Sequence, residues 1–165
     1  MIKEITKQYI AGFFDGEGCI GVYHRKNRGF HLRTQLTQNK TAKSEIILNY
    51  LLNKYGGNLG EQITNSKKIK YNWQLSSKNA MKLLEDIKPH LIIKKDQAEI
   101  ALAWQKQRPK IVKDEKGRFA YKEPISLELD IKVSNLIKNM NKNNEQQSDL
   151  VEIITKLTPL AVVKG

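Results

Sequence analysis

Ile10-Ala-Gly-Phe-Phe-Asp-Gly-Glu-Gly18 decides how this chain is read, because a small-residue helix runs here into a carboxylate-bearing, glycine-rich turn and then a strand. Ile5 to Phe14 has the spacing of a short helix, with Thr6 as its cap and Asp15-Gly-Glu-Gly18 breaking it. Ala11 and Gly12 are small residues on one face of that helix, and small residues let a second helix backbone approach closely. Phe13 and Phe14 supply core. Asp15 and Glu17 set two carboxylates where glycines permit an unusual backbone. Taken alone, the turn has two readings: a helix cap with an ordinary turn, or oxygen ligands for a hard divalent cation.

Moving outward, Cys19 to Arg25 reads as a strand, with Ile20 and Val22 on one face and Gly21, Tyr23 and Arg25 on the other. After a turn at Lys26-Asn-Arg-Gly29, Phe30 to Gln38 alternates cleanly. Phe30, Leu32, Thr34 and Leu36 oppose His31, Arg33, Gln35 and Thr37, so the two segments form a hairpin. Ser44 to Tyr55 repeats Ile47, Leu48, Leu51, Leu52 and Tyr55 at helical spacing and stops at Gly56-Gly57. Asn58 to Thr64 and Ile69 to Ser76 make a second hairpin. Ser77 to Ile87 is a helix stopped before Pro89, and Lys94 to Gln107 is another. Pro109 to Pro124 reads as a basic loop, followed by helices at about Ser126 to Met140 and Ser148 to Leu157. The expected fold is therefore α+β, an αββαββα core with a four-stranded antiparallel sheet and additional C-terminal helices. Residues 1–107 form the core, 108–125 the loop, and 126–165 an extension of the same domain.

One face of such a sheet is buried under helices, and the other meets solvent or a ligand. That outer face collects Tyr23, Arg25, His31, Arg33, Gln35, Thr37, Lys70, Asn72 and Gln74. An ordinary solvated face would carry such residues. So would a face that reads DNA, since Arg pairs with guanine and Asn or Gln with adenine. The net charge, taken together with the motif at Ile10 to Gly18, favours the second reading. Twenty-nine Lys and Arg against 17 Asp and Glu leave +12, which suits a polyanionic partner. Lys110, Lys113, Lys116, Arg118 and Lys122 of the basic loop are either phosphate contacts or solvated.

No apolar run approaches the roughly 20 residues that span a bilayer, and the first residues lack a signal-peptide pattern. The expectation is a soluble, intracellular protein without a membrane partner. A lone Cys19 excludes an intramolecular disulfide framework or a Cys-rich zinc site, and reads as a small buried residue beside the motif. His24, His31 and His90 have no metal-ligand spacing. Trp73 and Trp104 sit on apolar stripes and read as core.

Ile10 to Gly18 resembles the LAGLIDADG motif of homing endonucleases, matching at Ala11, Gly12, Asp15 and Gly18, with Glu17 in the acidic slot. The two hairpins, each trailed by a helix, are similar to that family's core over residues 5–107. Ile87-Lys-Pro-His-Leu-Ile-Ile-Lys-Lys-Asp-Gln-Ala98 looks like the stretch that delivers an active-site lysine, and Leu36-Thr-Gln-Asn-Lys40 like the one that delivers a glutamine. The resemblance implies a homodimer, because one motif per chain needs a partner, with Ile10, Ala11, Gly12 and Phe13 at the helix-helix interface. It implies Glu17, helped by the Gly16 carbonyl, as the ligand for Mg²⁺, and Asp15 as a capping support. Gln38 would orient water, and Lys94 would stabilise phosphate charge or help to activate water; Lys40 and Lys43 are candidates for a further basic residue. The implied activity is intron homing: Mg²⁺-dependent hydrolysis of double-stranded DNA at a long pseudo-palindromic site, leaving short 3′ overhangs. The implied setting is an organelle matrix (mitochondrion or chloroplast) or a prokaryotic cytoplasm. The rival is a non-catalytic nucleic-acid binder, such as an RNA maturase that assists intron splicing.

Overall fold

A computed structural model of the chain describes residues 4–26, 29–108, 111–113, 115–121 and 127–142. The expected helix over residues 148–157, and Lys110 and Lys122 of the basic loop, lie outside these. In chain order the elements are α1 (Lys7–Glu17), β1 (Gly18–Arg25), β2 (Gly29–Asn39), α2 (Ala42–Tyr55), β3 (Asn58–Ile63) and β4 (Ile69–Ser76). There follow α3 (Ser77–Ile87), a single 3₁₀ turn at Lys88–His90, α4 (Lys95–Gln107), β5 (Ile111–Lys113), β6 (Phe119–Tyr121) and α5 (Leu127–Met140). The α+β expectation holds.

The four long strands form an antiparallel sheet in the order β1-β2-β4-β3. Gly18 faces Leu36 and Arg25 faces Gly29 in the first hairpin, Arg33 faces Ser76 across the centre, and Asn58 faces Gln74 in the second hairpin. Strand alternation then sorts the side chains. Ile20, Val22, Leu32, Leu36, Trp73 and Leu75 are buried beneath the helices, together with Ala80, Leu83, Leu84 and Ile87 of α3. Trp73 and Trp104 are core residues, and each indole N–H is satisfied: Trp73 donates to the Gly56 carbonyl at 2.9 Å, and Trp104 to the Asp130 carboxylate at 2.8 Å.

Gly56 and Gly57 end α2 at φ of 74° and 96°. A side chain at Gly57 would place its Cβ 2.4 Å from the Gln74 carbonyl, so only glycine lets the chain turn this close to β4. The edge of β1 is covered by α5, whose Ser134 donates to the Val22 carbonyl at 2.6 Å, with Asn141 donating to Ile20 at 2.8 Å. Free strand carbonyls there would otherwise invite pairing with another chain. Arg108 joins α4 to both neighbours, bonding the buried Asp130 carboxylate at 2.6 Å and the Phe30 carbonyl at 3.1 Å.

Two boundaries differ from expectation. α1 does not stop at Phe14 but continues through Glu17, because tertiary bonds at Asp15 outweigh the roughly 1 kcal/mol that Gly16 costs a helix. The basic loop contains a short hairpin, with Ile111 paired to Tyr121 and a left-handed Gly117 at φ 73°. Lys113, Lys116 and Arg118 belong to this hairpin and are exposed. No helix among the described residues is long and apolar enough to cross a membrane.

Candidate functional site

The C-terminal end of α1 is held by one carboxylate. Asp15 is buried, 7% exposed, and accepts the backbone N–H of Ile92 at 2.7 Å and of Lys94 at 2.9 Å. The ammonium of Lys94 returns to the backbone carbonyl of Asp15. A cation is stabilised there, since the last carbonyls of a helix are unpaired and carry the negative end of its dipole. Asp15 therefore does more than support its own turn: it ties the segment carrying Lys94 to α1, across 79 residues of sequence.

Glu17 closes the same helix. It is exposed and, among the described residues, makes no hydrogen bond or ion pair. Gly16 beside it is open, with no atom of the described residues within 4 Å of where a Cβ would stand. Gln38 lies on β2 two residues past the Gly18–Leu36 pair, about 7 Å along the strand, and so at the α1 end of the sheet. It pairs across the ladder with Tyr71, and no hydrogen bond among the described residues joins it to Glu17 or Lys94. The structure thus joins Asp15 with Lys94, sets Glu17 at the same helix end, and leaves Gln38 nearby but unlinked. Lys40 is engaged elsewhere: it forms an ion pair with Glu61 and lies 5.6 Å from the Tyr71 ring centroid. The bond to Glu61 raises its pKa above the usual lysine value. Lys43 is exposed near the start of α2. No group of three or more His, Cys, Asp or Glu capable of holding a metal occurs among the described residues. At this helix end, among the described residues, one copy of the chain offers the open carboxylate of Glu17.

Of the four residues expected at a helix-helix face, Gly12 and Phe13 are at least partly exposed, and Ile10 and Ala11 are not. Ile10 and Ala11 are 3% and 0% exposed inside this chain's own core, since positions 10, 11, 14 and 15 of α1 share the inward side of a 3.6-residue helix. The open side is offset by one position. It carries Tyr9, stacked on Phe13 with centroids 6.3 Å apart, and Gly12 and Gly16, each with open space above it. Ile92 and Ile93, on the segment tied down by Asp15, are 86% and 74% exposed.

The outer sheet face is built as the alternation predicts. Tyr23 faces His31, Gly21 faces Arg33, Gln35 faces Gln74, Thr37 faces Asn72, and Lys70 faces Asn39. All of these side chains are partly or fully exposed except Gly21. Arg25 is exposed at the hairpin tip. Burial lowers the pKa of His31, and the Arg25 and Arg33 charges lower it further. Burial raises that of Tyr23, with the Cys19 thiol adding to the rise and Arg33 opposing it. Cys19 itself is only half-buried. The sequence reading missed Asn58 and Gln62, which β3 adds to this face opposite Gln74 and Lys70. The signal is weak, because only Leu59 in β3 is even partly covered and the strand shows almost no alternation.

The LAGLIDADG endonuclease family profile matches residues 10–102, more than half of the chain, from within α1 to within α4. The chain belongs to the LAGLIDADG endonuclease family. Two solved structures share its fold. The homing endonuclease I-CvuI, in complex with the I-CreI target, is 17% identical with a TM-score of 0.55, covering 92% of this chain and 93% of that one. The homing endonuclease I-TnaI is 16% identical with a TM-score of 0.50, covering 94% of this chain and 100% of that one. Comparison with curated proteins gives no match. The matched span takes in the stretch from Ile10 to Gly18 at the acidic end of α1 and also Lys94.

Proposed function

We propose that this chain is a homing endonuclease that hydrolyses both strands of a long pseudo-palindromic DNA site as a homodimer, with Mg²⁺ as its cation. The observation that carries this reading is the α1 end: an open Glu17 carboxylate beside a lysine that the buried Asp15 holds in place.

A divalent cation suits these residues. Mg²⁺ is commonly bound through one or two carboxylates, keeping waters and taking phosphate oxygens for the rest. Glu17 from each of two copies, with the Gly16 carbonyls, would supply that set. When bound, the cation lowers the pKa of attached water and neutralises charge on the phosphate. Lys94 keeps two N–H donors beyond the one given to Asp15, and these can meet a phosphate oxygen. Gln38, at the same end of the sheet, would orient water by its amide.

A second copy is supported by the open side of α1. Gly12 and Gly16 would let another backbone come close, and the exposed Ile92 and Ile93 extend an apolar surface beside it. Twofold symmetry then brings two Glu17 residues to one axis and favours a twofold-symmetric target. The sheet face, on a chain of net charge +12, would lie in the major groove, where Arg, Asn and Gln read base edges. I-CvuI has been seen with the I-CreI target uncleaved in 2 mM Mg and with its own target in 2 mM Ca, which supports DNA binding in the presence of a divalent cation and leaves cleavage to be tested.

The test is cleavage. The chain is incubated with Mg²⁺ and a duplex that joins the sequences flanking its own reading frame. Double-strand cutting that stops on chelation is expected. Tight binding to the flanking intron RNA, with no cutting of any duplex, would instead establish a maturase.

A further inference from the structure

We propose that Tyr23 is a positioning residue that holds the Arg33 guanidinium as a guanine reader, with Gly21 as the seat that lets it do so. The proposal rests on the sheet face reading DNA, and says how one of its residues is made selective.

Tyr23 stands on the outer face of β1, yet its ring does not project away from the sheet. A Cβ at Gly21 would lie 2.2 Å from its Cε2, 2.6 Å from Cζ and 2.7 Å from the hydroxyl oxygen, so the ring folds back along its own strand and fills the space that glycine leaves. Directly across the ladder from Gly21 is Arg33. Its guanidinium carbon lies 4.0 Å from the Tyr23 ring centroid, well inside cation–π range. The Arg33 Nε is buried and has no hydrogen-bond partner among the described residues. The guanidinium is thus fixed by a flat aromatic surface, which constrains its plane and leaves donors for a ligand. Arginine discriminates guanine by two parallel N–H donors to O6 and N7, and that pairing requires a fixed plane. Tyr23, whose hydroxyl points back over Gly21, is a poor candidate for reading a base itself.

The test uses the full chain and a randomised duplex DNA library selected by binding. The wild-type chain is expected to prefer G at one position in each half-site, and Arg33→Ala to erase that preference. Tyr23→Leu, which keeps apolar bulk but removes the π face, should weaken the guanine preference about tenfold at that same position. Tyr23→Phe should keep it within about twofold, and Gly21→Ala, which displaces the ring, should reproduce Tyr23→Leu. Unchanged thermal melting and circular dichroism show that each variant is folded. Tyr23→Leu with full guanine preference, or with a change at another position, overturns the relay alone. Arg33→Ala with unchanged preference at every position overturns the relay and the sheet-face reading together.

Discussion

Replacing Asp15 by asparagine leaves shape nearly intact and removes one acceptor. The carboxylate takes two backbone N–H groups, from Ile92 at 2.7 Å and Lys94 at 2.9 Å, at a site 7% exposed. Asparagine keeps one oxygen and turns an NH₂ toward the second donor. A charge-assisted hydrogen bond contributes roughly 1.5–3 kcal/mol, and a buried N–H left unpaired costs roughly 1–3 kcal/mol. A loss of about 2–4 kcal/mol follows, a large part of the roughly 5–15 kcal/mol typical of a domain. Urea unfolding followed by circular dichroism measures it as a lower midpoint at unchanged slope. Glu17→Gln is the internal control. Glu17 is exposed and without a partner among the described residues, so its stability should stay within about 0.5 kcal/mol of wild type. A shift below about 1 kcal/mol for Asp15→Asn, or an equal loss for Glu17→Gln, would refute the division of labour between the two carboxylates.

Other perturbations probe the rest of the account. Gly12→Gln meets open space in a single copy, so the chain should still fold while sedimentation shows the dimer lost; a surviving dimer would move the interface off α1. Arg108→Ala strips the buried Asp130 of a 2.6 Å ion pair whose partners are 10% and 4% exposed, and should cost about 3–5 kcal/mol in urea unfolding. His31 titrates below its usual range, so the folded chain binds fewer protons than the unfolded one in that window. Stability should therefore fall as pH drops through the ordinary imidazole range toward the lowered folded value, and His31→Asn should flatten that dependence.

Much of this fold is legible in the sequence, for physical reasons that differ by element. α3 begins at Ser77 and ends at Ile87 as expected, because Ala80, Leu83, Leu84 and Ile87 repeat on one face and Pro89 follows. β2 is plain because Leu32, Thr34 and Leu36 alternate with polar partners on a half-buried sheet. The end of α1 is not, since local propensity puts a break at Gly16, and the bonds that override it come from Ile92 and Lys94. The β5–β6 hairpin escapes notice because strands of three residues leave too short a pattern to separate from loop. The offset of the open α1 face turns on which side meets the sheet. Periodicity shows that a helix has a buried face, while only packing shows that Ile10 and Ala11 lie on it. At the candidate site, the motif points to Glu17 and the pre-helix lysine to Lys94. The role of Asp15 in tethering one to the other depends on a contact no spacing reveals.

The most direct measurement is strand cleavage by Glu17→Gln beside wild type, on the same duplex in Mg²⁺, with DNA affinity measured in parallel. The Glu17 carboxylate is an open group at the α1 end, so the variant should bind DNA with wild-type affinity and cut neither strand. Cleavage by Glu17→Gln at a wild-type rate would contradict the assignment of Glu17 as the cation ligand, and with it the site built around α1.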